Sequence, residues 1–264
     1  MKQNANKRHA RFYLPQAQAL GQTLELPEEL MHHASRVLRL KDKDFVRLWN
    51  GAGQEWGATL HYLSKKLAQV TIDEGPHQQA DSELVVPVHV MQALPEGDKM
   101  DWVLEKCTEL GASAYCPVQA ARSVVKLQGE RAQKRQHHWE RVLVAASLQS
   151  ERNQLPLLQA VLGLADALDC IRANHPNATL LWFTPEANMA LQTWAQSQRL
   201  APPNPGPLVI CVGPEGGWTP EETQYAIAQG ALPMRLSRRI LRTETFGVAC
   251  LAQLTALLQL EPQA

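Results

Sequence analysis

The sequence predicts an α/β protein of two domains, in which a small β-rich domain precedes a larger domain of alternating strands and helices. Three observations support this fold class. Short strand patterns separated by turn residues fill the first eighty residues. A polar stretch at 75–81 follows, and beyond it apolar strand patterns alternate with helical ones. A chain of 264 residues, 45% of them hydrophobic, is long enough to build two cores.

The N-terminal domain is expected to be a small barrel or sandwich. One helix interrupts its strands, from Pro27 to about Leu38, because proline and two glutamates begin a stretch with apolar residues at helical spacing. The predicted strands are 11–14, 23–26, 45–49, 55–62 and 67–72. The hinge at 75–81 places the domain boundary after residue 79, which gives domains 1–79 and 80–264.

The C-terminal domain is expected to be a layered sheet with helices. Its predicted strands are 84–94, 114–119, 178–183, 208–212 and 232–236, and its predicted helices are 98–110, 130–150, 165–173, 187–197, 220–229 and one that ends at 260. Open sheets of this kind bind ligands beyond the carboxyl ends of their strands. The loops that begin at Thr184, Gly213 and Ser237 should therefore converge on one edge of the sheet.

Composition argues against several classes of protein. The five cysteines are scattered and odd in number, which disfavours a disulfide framework, and no His or Cys spacing indicates a metal site. Cys211 is expected to be a small buried hydrophobe. No apolar segment is long enough to span a bilayer, and the polar, basic N-terminus lacks a signal-peptide core. We therefore expect a cytoplasmic protein with no metal and no membrane partner.

Basic residues are unevenly distributed although the net charge is zero. Seven Lys or Arg against three acids lie between Arg122 and Arg152, residues 1–11 contain four more, and a third group surrounds Arg36 and Arg39. Such groups can contact RNA phosphates. They are equally compatible with the ordinary solvated surface of a soluble protein, and charge alone does not separate the two interpretations.

The stretch from Val209 to Glu222 predicts a ligand-binding turn between a strand and a helix. Its glycines, Gly213, Gly216 and Gly217, let a ligand approach the main chain. Thr219 and Glu222 have the spacing of a capping box. Phosphate is disfavoured because Glu215 and the glutamates of the helix start would repel it, so a neutral or cationic ligand fits better. Glycine used for turn geometry alone is the alternative.

A second candidate site runs from Leu236 to Thr245, where charged residues lead into an apolar helix. Thr243 or Thr245 can cap that helix. Three arginines at a helix N-terminus are unfavourable unless an acid or a polyanion pairs with them, which favours a functional role. Among the tryptophans, only Trp218 is placed at a loop where it could stack on a ligand.

These two sites, in this order, resemble the RsmE family of bacterial ribosomal RNA uridine-N3 methyltransferases. The pairing is Gly-Pro-Glu-Gly-Gly at 213–217 with Arg-Ile-Leu-Arg-Thr-Glu-Thr at 239–245. The resemblance extends over nearly the whole chain, through the motifs at 11–13, 33–39, 97–102, 106–111, 122–126 and 152–156.

The resemblance implies a fold, a reaction and partners. The fold is a PUA-like RNA-binding β-barrel followed by a SPOUT domain with a deep trefoil knot. The reaction is methylation of N3 of uracil-1498 of 16S rRNA, in the small ribosomal subunit, with S-adenosylmethionine as methyl donor. The partners are that RNA and a second copy of the chain in a homodimer. The cationic sulfonium of this cofactor agrees with the electrostatics of the glycine turn.

The resemblance also carries residue roles. The implied cofactor pocket comprises Thr184, Pro185, Glu186, Val212, Gly213, Pro214, Glu215, Gly216, Gly217, Leu236, Ser237, Ile240, Leu241, Arg242, Thr243, Glu244 and Thr245. In catalysis, Arg242 is expected to stabilise the anion that develops on uracil and Glu244 to accept its proton. The implied RNA contacts are Arg11, Arg36, Arg39, Lys99, Arg122, Lys126 and Arg152.

Three positions depart from the family pattern. Ser237-Arg238 replaces the usual Gly-Pro, Leu148-Gln149 replaces Glu-Gln, and Phe246 replaces a small residue. Ser237 is expected to lack the backbone freedom of glycine. Two rival functions follow: a non-catalytic RNA-binding or ribosome-assembly factor on the same scaffold, and a methyltransferase for another RNA position.

Overall fold

The structure, a computed structural model, describes residues 9–77, 82–198 and 206–260. They form two compact units. The N-terminal unit contains 9–77 together with 151–155, and the C-terminal unit contains 82–150, 156–198 and 206–260. The predicted boundary after residue 79 and the basic residues Lys2, Lys7 and Arg8 lie outside the described residues.

The N-terminal unit is built on a five-stranded sheet. Its strands are β1 (Arg11–Tyr13), β2 (Thr23–Glu25), β3 (Phe45–Trp49), β4 (Glu55–Ser64) and β5 (Leu67–His77), in the order β1-β3-β4-β5-β2. β1 pairs with β3 in parallel, and the other pairs are antiparallel. Alternate residues of β4 and β5 such as Leu60, Val70 and Ile72 are buried, as expected of a sheet with one face on a core.

The C-terminal unit is built on a parallel sheet. Its strands are β6 (Val88–Ala93), β7 (Ala114–Gln119), β8 (Leu157–Leu158), β9 (Leu162–Gly163), β10 (Thr179–Phe183), β11 (Leu208–Val212) and β12 (Leu232–Met234). The order is β12-β10-β11-β6-β7-β8, with β9 also beside β7. The central strand β11 is buried along its whole length, because helices cover both faces of such a sheet.

Seven α-helices are described. They are α1 (Glu28–His32), α2 (Lys99–Glu109), α3 (Gly129–Gln149), α4 (Leu164–Asn174), α5 (Leu191–Ser197), α6 (Pro220–Ala228) and α7 (Thr243–Leu258). α4 and α6 contribute to a core around Trp182, Val209 and Cys211. None of the described helices is long and apolar enough to cross a membrane.

The predicted elements differ from the structure in a few places. The helix expected over 27–38 is a short α1 continued by a π-helical turn, His33–Val37. The helix expected from 187 begins only at Leu191. Ala190, just before it, is extended and forms a β-bridge with Arg235. Strands β8 and β9 were not predicted, since two-residue strands have no periodicity to detect.

Candidate functional site

The candidate site lies at the carboxyl edge of the parallel sheet. Since β6, β7, β10, β11 and β12 all run in one direction, the loops that follow them leave from the same edge. The loop after β10 begins at Thr184, the loop after β11 at Gly213, and the segment after β12 leads to α7. The loop after β6, which leads to Lys99 at the start of α2, and the loop after β7, which contains Arg122, leave from this edge too.

The loop that joins β11 to α6, residues 213–219, is called the glycine loop below. Its helix start is as predicted: the Thr219 hydroxyl accepts from the Glu222 N–H at 3.1 Å, and the Glu222 carboxylate accepts from the Thr219 N–H at 2.8 Å. Gly217 has a positive φ of 67°, a conformation that glycine adopts without strain, and no atom lies within 4 Å of the position a Cβ would take. The main chain of Gly217 is thus accessible to a ligand.

The interior of the unit holds the beginning of the glycine loop. Thr243, the first residue of α7, donates its hydroxyl proton to the Gly213 carbonyl oxygen at 2.6 Å. The Gln92 side-chain amide, at the end of β6, donates to the same Thr243 hydroxyl at 2.8 Å. Gln92 is fully buried and Thr243 is 7% exposed. The two site segments that resemble the RsmE motifs are therefore joined directly.

The loop after β6 and the first residue of α2 hold Glu215. Lys99 Nζ lies 2.6 Å from Glu215 Oε1, and the Glu96 N–H donates to the same oxygen at 3.1 Å. Burial alone would raise the pKa of Glu215, but the hydrogen bonds from Lys99 and Glu96 outweigh it and hold that pKa below its usual value. The bond to Glu215 raises the pKa of Lys99 in turn. Both side chains are therefore charged at neutral pH.

The loop after β7 holds the rest of the glycine loop. Arg122 Nη1 donates to the Gly216 carbonyl at 2.9 Å and to the Trp218 carbonyl at 3.3 Å. In return, the Ala121 N–H donates to Glu222 at 2.8 Å. Arg122, which is predicted to contact RNA, thus also fixes the main chain of the glycine loop.

The second motif leads into α7 without the predicted cap. Arg242 occupies the N-cap position and no side chain caps the helix, so the expectation that Thr243 or Thr245 would do so is wrong. Thr243 is already helical and its hydroxyl is used by Gly213. Glu244 lies in the first turn, where a carboxylate is favoured by the helix dipole. Its Oε2 atom is buried and has no hydrogen-bond partner among the described residues.

The loop after β10 adds another carboxylate. The Thr184 hydroxyl donates to Glu186, and this bond holds the pKa of Glu186 below its usual value. The Thr184 N–H donates to the Met234 carbonyl at 3.0 Å, which ties the loop to the end of β12. Phe246, one of the departures from the family pattern, packs against Phe183 with ring centroids 4.9 Å apart. The larger side chain is thus accommodated beside this loop.

The segment between β12 and α7 contains another departure, Ser237-Arg238. Ser237 forms a local turn in which its hydroxyl accepts from the Arg239 N–H at 3.1 Å. Its φ is not positive, so this position does not need glycine and the expected loss of backbone freedom has no consequence here. Arg238, Arg239 and Ile240 are exposed, Ile240 by 87%. The predicted arginine cluster therefore faces solvent.

The exposure of the predicted cofactor residues varies. Val212, Pro214 and Thr243 are buried; Thr184, Gly213, Gly217, Leu236, Ser237, Leu241 and Glu244 are partly buried; Pro185, Glu186, Glu215, Gly216, Ile240, Arg242 and Thr245 are exposed. Trp218, considered as a stacking surface, is instead 8% exposed and stacked on Trp182 with centroids 4.2 Å apart. It belongs to the core.

Four of the residues predicted to contact RNA are exposed and three are not. Arg36, Arg39, Arg122 and Lys126 are exposed, Lys99 and Arg11 are partly buried, and Arg152 is 2% exposed. The Arg11 guanidinium binds Glu55 Oε2 at 2.7 Å, the Arg152 carbonyl at 2.7 Å and the Asn153 side chain. Arg11 thus connects β1 to the segment 151–155 within the N-terminal unit, which is a structural use of its charge.

The cysteines behave as buried hydrophobes. All five are unpaired, and Cys107, Cys116, Cys211 and Cys250 are buried. Burial raises the pKa of Cys107 and of Cys116 to about 12, and raises that of Cys211 well above its usual value, so these thiols are poor nucleophiles. Within 9–77, 82–198 and 206–260, no cluster of three His, Cys, Asp or Glu residues is arranged to hold a metal ion.

The chemistry of the site favours a cationic or neutral ligand. Glu186 and Glu215 carry negative charge at neutral pH, and the partly buried Glu244 has one carboxylate oxygen without a partner. A buried carboxylate oxygen is stabilised by a donor or a positive charge, which a bound ligand can supply. The open space at Gly217 allows such a ligand to reach the main chain.

Comparisons with known proteins agree on one family. A family model described as an RNA methyltransferase domain matches residues 82–255, and one described as an RNA methyltransferase PUA domain matches residues 26–73. Ribosomal RNA small subunit methyltransferase E of Synechocystis is 34% identical over 251 residues, which cover 94% of this chain and 78% of the relative.

Two solved structures have the same fold over nearly the full length. A ribosomal RNA small subunit methyltransferase E from Neisseria gonorrhoeae, bound to S-adenosyl methionine, has a TM-score of 0.81 at 34% identity, covering 94% of this chain and 98% of that chain. A methyltransferase structure from Legionella pneumophila with bound SAM has a TM-score of 0.82 at 30% identity, covering 95% and 98%.

Proposed function

The chain belongs to the ribosomal RNA small subunit methyltransferase E family, and we propose that it methylates N3 of one uridine of 16S rRNA, uracil-1498, with S-adenosylmethionine as donor. One observation carries the proposal. The Thr243 hydroxyl joins the glycine loop to the start of α7, so that both family motifs form one edge of the sheet. Similar proteins with the same fold have S-adenosylmethionine bound.

The residues present fit this cofactor. S-adenosylmethionine supplies an electrophilic methyl group on a positively charged sulfur. Carboxylates of Glu186, Glu215 and Glu244 suit that charge, and the unpartnered oxygen of Glu244 suits a donor on the ligand. The glycine loop, the loop after β10 and the segment 236–245 would hold it, with the main chain at Gly217 open to contact.

In this proposal Arg242 and Glu244 act on the base. Uracil N3 carries a proton, so its methylation requires removal of that proton and stabilisation of the resulting anion. Arg242 is exposed at the N-cap of α7, where its guanidinium can pair with a uracil oxygen. Glu244, two residues onward in the first turn of α7, supplies the carboxylate that accepts the proton. We assign Arg242 the role of anion stabiliser and Glu244 that of base.

RNA binding is assigned to both domains. Arg36 is exposed in the π-helical turn of the N-terminal unit and Arg39 just after it, and Lys126 and Arg122 are exposed on the loop after β7. These cations can neutralise phosphates. In the N-terminal unit the side chain of Arg11 is 7% exposed and Arg152 is 2% exposed, so we assign their contribution to the conformation of that unit rather than to direct phosphate contact.

The proposal includes the remaining organisation of the protein. Residues 1–79 form the PUA-like domain and 80–264 the SPOUT domain, whose chain makes a trefoil knot. The protein works as a homodimer on the small ribosomal subunit in the cytoplasm. The parallel sheet order β12-β10-β11-β6-β7-β8, in which β11 lies between β10 and β6, supports a chain path with long crossovers. Light scattering of the purified protein tests the homodimer.

Methyl transfer from labelled S-adenosylmethionine to 16S rRNA, free and in small subunits that lack the modification, tests the reaction. We expect label on N3 of uracil-1498 and loss of single-turnover transfer with Arg242→Ala and with Glu244→Gln. Label on another nucleotide would support the alternative methyltransferase. Cofactor binding without transfer to any RNA, or no cofactor binding at all, would support the non-catalytic factor. Unchanged transfer by Arg242→Ala would remove that residue from the mechanism.

A further inference from the structure

We propose that Gln92 is a positioning residue that sets the conformation of the glycine loop through Thr243. The inference rests on the proposed function, because it assigns the cofactor to that loop. Gln92 lies in β6, outside both motifs that resemble the family, and it does not belong to the predicted cofactor residues. Its side chain is fully buried at the edge from which the site loops leave.

The geometry forms a directed chain of hydrogen bonds. Gln92 Nε2 donates to Thr243 Oγ1 at 2.8 Å, and Thr243 Oγ1 donates to the Gly213 carbonyl at 2.6 Å. A hydroxyl that accepts a hydrogen bond becomes a stronger donor, so the two bonds reinforce each other. Gln92 therefore acts on the loop at the residue where the chain leaves β11.

The surrounding groups fix the orientation of the Gln92 amide. Nε2 also donates to the Ala93 carbonyl at 2.9 Å, a contact that requires a donor. With the amide reversed, its oxygen would face that carbonyl oxygen, while the Thr243 proton is already used by Gly213. The Gln92 amide thus has a single favourable orientation, in which Nε2 donates to Thr243 Oγ1.

A purely structural role explains Gln92 poorly. Its Oε1 atom is buried with no partner among the described residues, which makes a buried glutamine less favourable than an apolar residue of the same volume. The neighbouring strand positions Val90, Met91 and Ala93 are apolar and buried. The cost is offset if the amide is needed to hold the Gly213 carbonyl.

Gln92 complements the other attachments of the glycine loop. Lys99 and Arg122 hold Glu215 and Gly216 from side chains that are partly or fully exposed. Such contacts compete with water and with RNA phosphates. The bond through Thr243 is shielded from solvent, so it keeps the start of the loop in place when the exposed contacts exchange.

Cofactor binding by four variants tests the inference. The variants are Gln92→Met, Thr243→Val, Thr243→Ser and the double variant Gln92→Met/Thr243→Val. Gln159→Met is the matched control, because Gln159 lies in the same unit and also has a buried, unpartnered Oε1, but it follows β8 rather than β6. Titration calorimetry with S-adenosylmethionine, steady-state kinetics and thermal unfolding are measured on each purified full-length protein.

We expect Gln92→Met and Thr243→Val each to weaken S-adenosylmethionine binding about tenfold. KM for the cofactor should rise by a similar factor, with little change in kcat at saturating cofactor. Thr243→Ser, which keeps the hydroxyl, should bind more tightly than Thr243→Val. The double variant should bind no more weakly than Thr243→Val alone, because both substitutions interrupt one chain of bonds. Gln159→Met should bind like the wild type.

Two results would overturn the inference. One is a folded Gln92→Met protein that binds the cofactor as the wild type does, and the other is an additive double variant. If Gln92→Met does not fold, equal affinities of Thr243→Val and Thr243→Ser would overturn it instead, because valine keeps the packing of threonine. A wild-type protein that fails to bind S-adenosylmethionine would refute the proposed function itself, which separates the two failures.

Discussion

Buried ion pairs of Glu55 hold segments of the N-terminal unit together. Glu55 is 4% exposed in the N-terminal unit and binds Arg11 and Arg47 at once. Burial lowers the pKa of Arg11, and the pairing with Glu55 opposes that shift. The motif at 11–13 that resembles the family therefore contains an arginine whose charge holds the segment 151–155, through the Arg152 carbonyl and Asn153.

Glu55→Ala should destabilise the N-terminal unit by about 3 kcal/mol, because it leaves the buried guanidinium of Arg11 without its carboxylate. Arg47→Met should cost less, since the Arg47 side chain is 27% exposed against 7% for Arg11. Urea unfolding followed by hydrogen exchange of β1, β3 and β4 measures both. Equal losses in the two variants would contradict the assignment of Arg11 as the buried partner.

The ion pair of Lys99 and Glu215 predicts how cofactor binding depends on pH. The pKa of Glu215 is lowered, so its contribution is complete above the usual carboxyl value and is lost as the pH falls through the lowered pKa. The pKa of Lys99 is raised, so its contribution is lost only at alkaline pH. S-adenosylmethionine affinity should therefore be constant near neutrality and should weaken in acid.

Glu215→Gln isolates that effect from the other carboxylates of the site, those of Glu186 and Glu244. The variant should bind the cofactor more weakly at neutral pH and lose less affinity on acidification than the wild type. Calorimetric titration from about pH 7 to about pH 3, which passes through the lowered pKa of Glu215, measures both curves. Glu96→Gln is the control, because Glu96 contributes only its main-chain N–H to Glu215. Parallel curves for wild type and Glu215→Gln would refute the assignment.

Residue-level features were predictable where the interaction is local. The capping box of Thr219 and Glu222 involves residues three positions apart, so the sequence pattern identifies it. The bond between Gln92 and Thr243 joins residues 151 positions apart, and no pattern along the chain indicates it. The available signal was a glutamine near the end of the strand Val88–Ala93, whose other residues apart from His89 are apolar.

Apolar periodicity predicted most helices and strands of this protein, but not all of their ends. Most strands and helices were predicted within a few residues, because apolar spacing reports which face is buried. β8 and β9 were missed because only pairing with β7 makes them strands. The start of α7 was misassigned because Thr243 uses its hydroxyl for Gly213 rather than for its own helix.

Gly217→Ala tests the conformation of the glycine loop. At a φ of 67° an alanine costs about 1 to 2 kcal/mol, although no neighbouring atom would contact its Cβ. Gly217→Asn should cost less, because asparagine adopts this conformation more readily. Thermal unfolding without cofactor measures the backbone strain, and cofactor titration measures any lost contact with the ligand. Equal effects of alanine and asparagine on stability would argue that the loop relaxes to another conformation.

At the scale of the whole molecule, the sheet order and the composition of the units were beyond sequence reasoning. The polar hinge indicated two domains, but the assignment of 151–155 to the N-terminal unit depends on pairings such as Ala52 with Gln154. Those residues lie between α3 and β8, elements of the other unit. Local patterns do not reveal such long-range pairing, and the order β12-β10-β11-β6 likewise follows from packing.

RNA binding by the whole molecule should depend on a few exposed cations, since the net charge is zero and no global attraction assists it. Each phosphate contact removed should reduce the slope of log K against log salt by about 0.7 to 0.9. Arg36→Gln, Arg39→Gln and Lys126→Gln should each show this reduction with a fragment of 16S rRNA. All three side chains are exposed.

Lys65→Gln is the matched control, because Lys65 is also exposed but lies in the turn between β4 and β5, outside every motif that resembles the family. Its salt slope should equal that of the wild type. Cofactor affinity should be unchanged in the Arg36 and Arg39 variants, because neither residue is among the predicted cofactor residues. If the control lowers the slope as much as the three test variants do, binding is a diffuse charge effect, and the assignment of specific phosphate contacts fails.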